Sequence, residues 1–310
     1  MKPLVSVLLP MYNIEKYIEE AVLSILNQTY NNFEIIAIDD CSNDNTYNKV
    51  LELSKKDKRI KLYKNKENLK IANTLNKAFY LSKGEYILRM DGDDISLPDR
   101  LEKKLNFLME NPENDLVGCS VIAINENGKE IGKSRYCSDF NILKKIARYN
   151  SPVSHIWLAK REVYEKLGGY RNIPSVEDYD FLLRMITKGF KFSNLSDYYG
   201  YKVRIGREGN TINLFGLKQR KLHKLVYKYY LERLRTGQDS FNEESVLNLK
   251  INKFENSLYL LSSKFLKNAI INKKNKIKFL IYLLLSLISP TQVEYIYGRF
   301  MSRIIERKCK

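Results

Sequence analysis

Tyr86-Ile87-Leu88-Arg89-Met90-Asp91-Gly92-Asp93-Asp94-Ile95-Ser96-Leu97-Pro98-Asp99-Arg100 begins as an apolar strand and ends in a carboxylate-rich turn. Pro98 then stands where a helix is expected to start. A strand that delivers carboxylates into a turn at its C-terminal end is how open α/β sheets build ligand sites. Gly92 keeps that turn free of a side chain. Alternate residues of extended chain point the same way, so Asp91 and Asp93 can share one partner. Like charges that close repel unless something positive sits between them. A hard divalent cation suits the pair, and Mg²⁺ or Mn²⁺ leaves coordination positions for phosphate oxygens. A lone Asp-x-Asp is more often a solvated turn or a helix cap, so the remaining chain has to decide.

Upstream, short apolar runs alternate with helical periodicity. Leu4–Pro10 reads as a buried strand, and Ile14, Tyr17, Ile18, Ala21, Val22 and Ile25 recur at helical spacing. Phe33–Ile38 is a second strand, ending in the polar run from Asp39 to Thr46 that caps a helix to about Ser54. Ile60–Tyr63 is a third strand, followed by a loop and helix over 68–81. Such alternation predicts a parallel sheet with right-handed crossovers. The polar loops Tyr12-Asn13, Asp39-Asp40 and Asp91–Asp94 then fall at one edge of it. No Gly-x-Gly-x-x-Gly follows the first strand and no Walker-type phosphate loop is present, so neither of those nucleotide folds is supported.

Downstream, a helix over 98–110, a strand over 116–124 with a hairpin turn at 125–128, a helix over Arg161–Leu167 stopped by Gly168-Gly169, and a helix from 176 to about 188 are expected. Phe190–Ser193 and Tyr199–Ile205 read as two short strands. From Leu214 the pattern turns helical, Lys-rich and Tyr-rich. The 310 residues therefore divide at 1–213 and 214–310. The net charge of +17 is uneven: residues 217–310 hold 20 Lys and Arg against 7 Asp and Glu, a net of +13. Such a tail seeks an anionic surface, either nucleic acid or a membrane leaflet. Ile277–Ser289 carries only Lys278 as a charge and falls short of the ~20 residues that span a bilayer. Val293, Ile296, Phe300 and Ile304 add a basic amphipathic helix. Two readings stand side by side: a bundle packed on the rest of the protein, or helices lying in a membrane interface. Cys41, Cys119, Cys137 and Cys309 lack metal or redox spacing and read as reduced thiols in a cytosolic protein. Met1-Lys2-Pro3 runs straight into a strand, so no signal peptide is expected.

Four ordered stretches resemble glycosyltransferase family 2: Ser6–Asn13, Ile38–Thr46 (with Cys41 where glycine is usual), Arg89–Pro98, and Leu167-Gly168-Gly169-Tyr170 followed by Glu177–Phe181. The resemblance covers roughly residues 4–210. It implies an α/β protein with the GT-A fold, a Rossmann-like, mainly parallel sheet flanked by helices, here carrying a helical C-terminal appendage. It also implies inverting sugar transfer from a nucleotide-diphosphate sugar, with Mn²⁺ or Mg²⁺. By resemblance, Pro10, Tyr12, Asn13, Asp39, Asp40, Asn68, Lys70, Arg89, Asp91 and Gly92 bind the nucleotide-sugar. Asp93 is the main metal ligand, Asp91 bridges toward ribose or metal, and Asp94 caps and orients. Asp178 is the general base, with Glu177 and Asp180 as rivals. His155 is a further metal ligand, or else a structural histidine, and Tyr12 either faces the base or simply packs. Arg204 and Arg207 either close a lid over the diphosphate or are solvated surface cations, the latter slightly favoured. Asn68 and Asn76 keep their family places, but the segment lacks the usual glycine and arginine, and Lys70 substitutes as the cation expected near the diphosphate. The Gln-x-x-Arg-Trp motif and long membrane spans of polymerising synthases are absent, so one sugar per acceptor is expected. The acceptor implied is a polyprenyl-diphosphate-linked saccharide at the inner face of the plasma membrane, with no nucleic acid partner. A sugar-1-phosphate nucleotidyltransferase would need a glycine-rich loop that is missing. A nucleic-acid-binding protein would need a recognisable motif, and none is visible.

Overall fold

The computed structural model describes residues 2–206 and 211–309, with residues 211–215 described by backbone alone. The strands β1 (Val5–Met11), β2 (Phe33–Asp39), β3 (Ile60–Lys64) and β4 (Tyr86–Arg89) alternate with helices α1 (Ile18–Leu26), α2 (Thr46–Lys56) and α3 (Lys70–Leu81). They pair in parallel in the order β3-β2-β1-β4. Both faces of β1, β2 and β4 are covered, which is why they carry apolar runs, whereas the edge strand β3 alternates with lysines and is part-buried. Val7, Leu9, Ile35 and Leu88 meet α1 on one face. Leu8, Ile36, Ile38 and Ile87 meet α3 on the other.

The chain continues through β5 (Ile95–Ser96), α4 (Arg100–Glu110), β6 (Leu116–Ile124), β7 (Glu130–Ser134), α5 (Phe140–Ile146), β8 (Leu158–Lys160), α6 (Arg161–Leu167), α7 (Glu177–Thr187) and β9 (Phe192–Arg204). β8 joins β4 and β6 antiparallel, β9 runs parallel to β6, and β5 closes the far edge against β9. The two short strands expected over 190–205 are one strand of 13 residues. Its register against β6 shifts at Cys119–Val121, so the interruption seen in the sequence is an irregularity within the ladder. The helix expected from Pro98 begins at Arg100, because β5 and residues 97–99 occupy the turn before it.

Five helices follow: α8 (Thr211–Thr236), α9 (Glu243–Leu247), α10 (Lys253–Ile271), α11 (Lys276–Leu285) and α12 (Pro290–Glu306). α8 shares a core with the sheet portion, in which Leu222, Val226 and Tyr229 pack with Ala147, Tyr179 and Leu183. α12 folds back onto α5. This return pairs Cys137 with Cys309, 172 positions apart, in a disulfide. The expectation of four reduced thiols is therefore corrected: Cys41 and Cys119 are free, and the other two are bonded. Nothing in their spacing signalled it, because only the return of the last helix brings them together.

Candidate active site

The C-terminal ends of β1, β2 and β4 bring three loops together. Met11 and Asp39 are register partners, and the Asp40 amide donates to the Met11 carbonyl at 2.8 Å. Asn13, with φ of 50°, links two of the loops: its amide donates to Ser42 Oγ and its Oδ1 accepts from the Asn43 amide. Pro10 is buried inside β1, whereas Tyr12 is 48% exposed.

The two adjacent aspartates of the second loop have different work. Asp40 is consumed by the fold: its oxygens accept from Asn65 Nδ2 and from the Leu69 and Lys70 amides. Together with Asn68 Oδ1 it holds Lys70 in a left-handed turn with φ of 67°, leaving the lysine side chain exposed. Asp39 is wholly buried; its Oδ2 accepts from the Ser42 amide, while its Oδ1 has no partner within the protein. A buried acceptor without a donor is costly unless a ligand supplies one. The two carboxylates, which the sequence left as alternatives, thus differ in their partners within the protein.

At the carboxylate turn, a Cβ on Gly92 would meet Ile14 Cδ1 at 2.4 Å. The glycine therefore lets the turn lie against the start of α1. Asp91, Asp94 and His155 present donor atoms that all lie within 4.8 Å of one another. His155 Nε2 is 2.8 Å from Asp91 Oδ2. Burial works against a charged Asp91, but His155 and Arg89 outweigh it and hold its carboxyl far below the usual range. Burial, with the charges of Asp93 and Asp91, pushes the Asp94 carboxyl well up. Burial disfavours the His155 imidazolium, yet the Asp91 carboxylate raises its pKa. Crowded carboxylates beside an imidazole form an O,O,N donor set that fits Mn²⁺ better than the harder Mg²⁺. Asp93, expected as the main ligand, is not in this group of three; its backbone carbonyl accepts from Arg204 Nε at 2.9 Å.

Two residues of β9 brace the turn, and the sequence did not suggest either role. Tyr201 Oη accepts from the Asp91 amide. Arg204, read as a solvated cation, is in fact 3% exposed. Its amide donates to Asp94 Oδ1, its guanidinium to the carbonyls of Asp93, Asn125 and Glu126 and to Glu20 Oε2, and it lies over the Tyr17 ring. The β5–β9 ladder, which sets Ser96 opposite Tyr201, places both under the aspartates. A two-residue strand leaves no pattern from which this pairing could be read. Arg207 lies outside the described residues.

The opposite wall is the start of α7. Arg89 Nη1 donates to Glu177 Oε1 at 3.1 Å, with both side chains buried, so Glu177 is committed as a counter-ion. Burial raises the Glu177 carboxyl despite that arginine. Asp180 is wholly buried on Arg184 Nε at 2.7 Å and belongs to the fold, which removes it as a rival base. Asp178 is half-buried, with Oδ1 accepting from the Tyr179 amide, and its charge helps keep His155 and Arg89 protonated. An aromatic cluster of Trp157, Tyr164, Tyr170 and Phe181 sets this wall, with Trp157 Nε1 donating to Tyr164 Oη. Asn76 clasps the Tyr170 backbone from both sides, and a side chain on Gly169 would strike its Oδ1. The buried Lys104 Nζ donates to the Ile156 carbonyl, and burial lowers its pKa to about 7.

Residues 6–168 match the family model described as Glycosyl transferase family 2. An uncharacterized glycosyltransferase of Methanocaldococcus jannaschii is 36% identical over 235 residues, covering 74% of this chain and 78% of that one. Over 108 residues, 35% of this chain and 42% of the relative, the identity is 41% to the UDP-Glc:alpha-D-GlcNAc-diphosphoundecaprenol beta-1,3-glucosyltransferase WfgD of Escherichia coli. The solved structure of mannosyltransferase PcManGT from Pyrobaculum calidifontis, in complex with GDP-Man and Mn²⁺, superposes with a TM-score of 0.62 over 97% of this chain and 87% of that one. At 18% identity that last likeness is one of fold.

Proposed function

The chain belongs to glycosyltransferase family 2, and from that premise we propose that it moves one sugar, with inversion, from a nucleotide-diphosphate sugar to a hydroxyl of a lipid-linked saccharide during surface polysaccharide assembly. The site favours this reading over the sugar-1-phosphate nucleotidyltransferase and nucleic-acid-binding alternatives. The observation that carries it is the convergence of Asp91, Asp94 and His155 at the sheet edge, close enough to Asp178 for its charge to raise the His155 pKa. The relative WfgD, whose name gives a UDP-sugar donor and a diphosphoundecaprenol-linked acceptor, supports the choice of substrates. In this reading the protein works at the cytoplasmic face of an anionic membrane.

The roles follow from chemistry. The acceptor hydroxyl attacks the anomeric carbon from the face opposite the diphosphate, and a single displacement inverts that carbon. Asp178 takes the hydroxyl proton as the new C–O bond forms and the bond to phosphate breaks. The departing electron pair settles on the diphosphate. Asp91 and Asp94 with His155, or with Asp93, would hold Mn²⁺, and bound there it would supply countercharge to that leaving group. Arg89, paired to Glu177, keeps Asp91 ionised and in place. Asp39 Oδ1 takes a hydrogen from the base or ribose, and Tyr12 covers the base. Asp40, Asn13 and Asn68 shape the loops that receive it.

A panel of nucleotide-sugars assayed for hydrolysis, with Mn²⁺, Mg²⁺ or EDTA, tests the reading. Hydrolysis of one donor, abolished by EDTA and restored by Mn²⁺, is expected, together with loss of bound Mn²⁺ in Asp91→Ala by electron paramagnetic resonance. Full activity in EDTA would refute the metal assignment.

A further inference from the structure

The last three α-helices are built inside out. α12 buries Thr291, Gln292, Gly298 and Ser302 and turns Val293, Tyr297, Phe300 and Ile304 outward, the last four between 36% and 60% exposed. α11 buries none of its residues, although nearly all are apolar: Ile277 is 74% exposed and Leu284 60%. α10 turns Ile271 outward at 67% while its Ser262, fully buried, donates to the Ser286 carbonyl. Ser263 Oγ is 3.0 Å from Gln292 Oε1 in the same seam. Seams of small and polar residues with apolar flanks are the reverse of water-facing helices, and they are how helices pack where the surroundings are themselves apolar. No helix among the described residues is long and apolar enough to cross a membrane.

We infer that α10, α11 and α12 form a docking face that rests in the interfacial layer of an anionic lipid bilayer. Charge selects this occupant. Residues 256–293 contain six lysines, at 264, 267, 273, 274, 276 and 278, and no acidic residue. All six lysines are exposed beside the apolar side chains. An isologous pair of these faces would set lysines against lysines, which disfavours a second copy of the chain as the cover. An anionic leaflet meets both features, taking the apolar side chains into the acyl boundary and the ammonium groups at the headgroups. The face is fixed relative to the cleft: α12 packs on α5, Tyr297 lies edge-on to Tyr149, and Cys309 is bonded to Cys137. Docking itself does not depend on the transfer chemistry; only its use, holding the cleft at the height of a lipid-linked saccharide, rests on the function proposed above.

The test is sedimentation of the full-length protein with vesicles of phosphatidylcholine alone or mixed with phosphatidylglycerol, without any nucleotide-sugar. The protein should pellet with the anionic vesicles, be partly released by high salt, and stay in solution with the neutral ones. The double variant Leu280→Glu/Leu284→Glu alters side chains that are more than half exposed, 55% and 60%, so its circular dichroism should be unchanged. Its anionic-vesicle partition should fall at least about tenfold. Donor hydrolysis, measured separately, should be the same in both proteins. Supernatant protein under every lipid condition would overturn the inference, as would equal binding of wild type and variant. A concentration-dependent dimer in wild type that the variant abolishes would assign the face to self-association instead.

Discussion

α1 and α12 are both amphipathic, and they face opposite ways. α1 buries Ile18, Ala21, Val22 and Ile25 against the sheet; α12 buries threonine, glutamine, glycine and serine and leaves its apolar stripe outside. Periodicity identifies a stripe but not its surroundings, because it reports which residues share a face and not what that face meets. In the sheet portion the neighbours are other elements of the chain. At the C-terminal end the polar side is the one enclosed by protein.

If the two regions divide chemistry from docking, substitutions in the first should change turnover and leave vesicle partition alone. The largest such effect is expected at Asp178. Asp178→Asn should lower transfer by roughly 10²–10⁴, the usual worth of a general base, with donor affinity by calorimetry unchanged. A weakened donor affinity with intact turnover would move Asp178 into the nucleotide site. Two residues along the helix, Asp180→Asn should instead act on the fold. Breaking its buried pair with Arg184 should cost about 3–5 kcal/mol in denaturant unfolding. Equal unfolding midpoints for these two variants would erase the distinction drawn between them.

Arg204→Lys comes next. It keeps a charge but loses the fork that reaches Asp93, Asn125, Glu126 and Glu20. Mn²⁺ affinity should drop about 10–100-fold, the range for residues that orient metal ligands, readable by titration of bound Mn²⁺. The smallest effect lies at the seam. His223 of α8 stacks on Tyr179 of α7 at 3.9 Å, and burial, aided by Arg220, pushes its pKa down to about 4. Between that value and the ~6.5 of an unfolded histidine, only the unfolded chain takes the proton. Stability is therefore full above pH ~6.5 and falls as pH drops toward 4. At pH 5 the loss amounts to ~2 kcal/mol, and His223→Phe, which keeps the stack, should show a smaller fall in Tm between pH 7.5 and 5. An identical fall in the variant would mean that His223 does not carry it.

The parallel half of the sheet was legible because β1 and β2 are covered on both faces and β1, β2 and β3 are each followed by a helix. The carboxylate turn was legible as a turn because its aspartates are neighbours in the chain, whereas His155, which meets Asp91, stands 64 positions on. What supports that turn was not legible. Tyr201 and Arg204 lie 110 positions from Asp91 and Asp94, on a strand that the two-residue β5 ties to the turn. Asp39 and Asp40 look equivalent as a pair of letters; only the direction of each carboxylate, one toward the Leu69 and Lys70 amides and one into the buried edge, tells them apart. The same holds for Asp178 and Asp180, which lie on different sides of one helix start.

The disulfide between Cys137 and Cys309 turns the later part of the chain into a closed ring with the first 136 residues as a free arm. β1, β2 and β4, with their loops, belong to the arm; His155, Asp178 and every helix from α5 to α12 belong to the ring. The Asp91–Asp94 turn and the start of α7 thus have different covalent connectivity, and His155, although it meets Asp91, belongs with the ring. Mechanically, a pull on the last helix does not peel it away and pass backward along α11 and α10. It enters the arm–ring junction at Cys137 directly, so a load taken up at the far end of the molecule is transmitted next to the wall that carries Asp178.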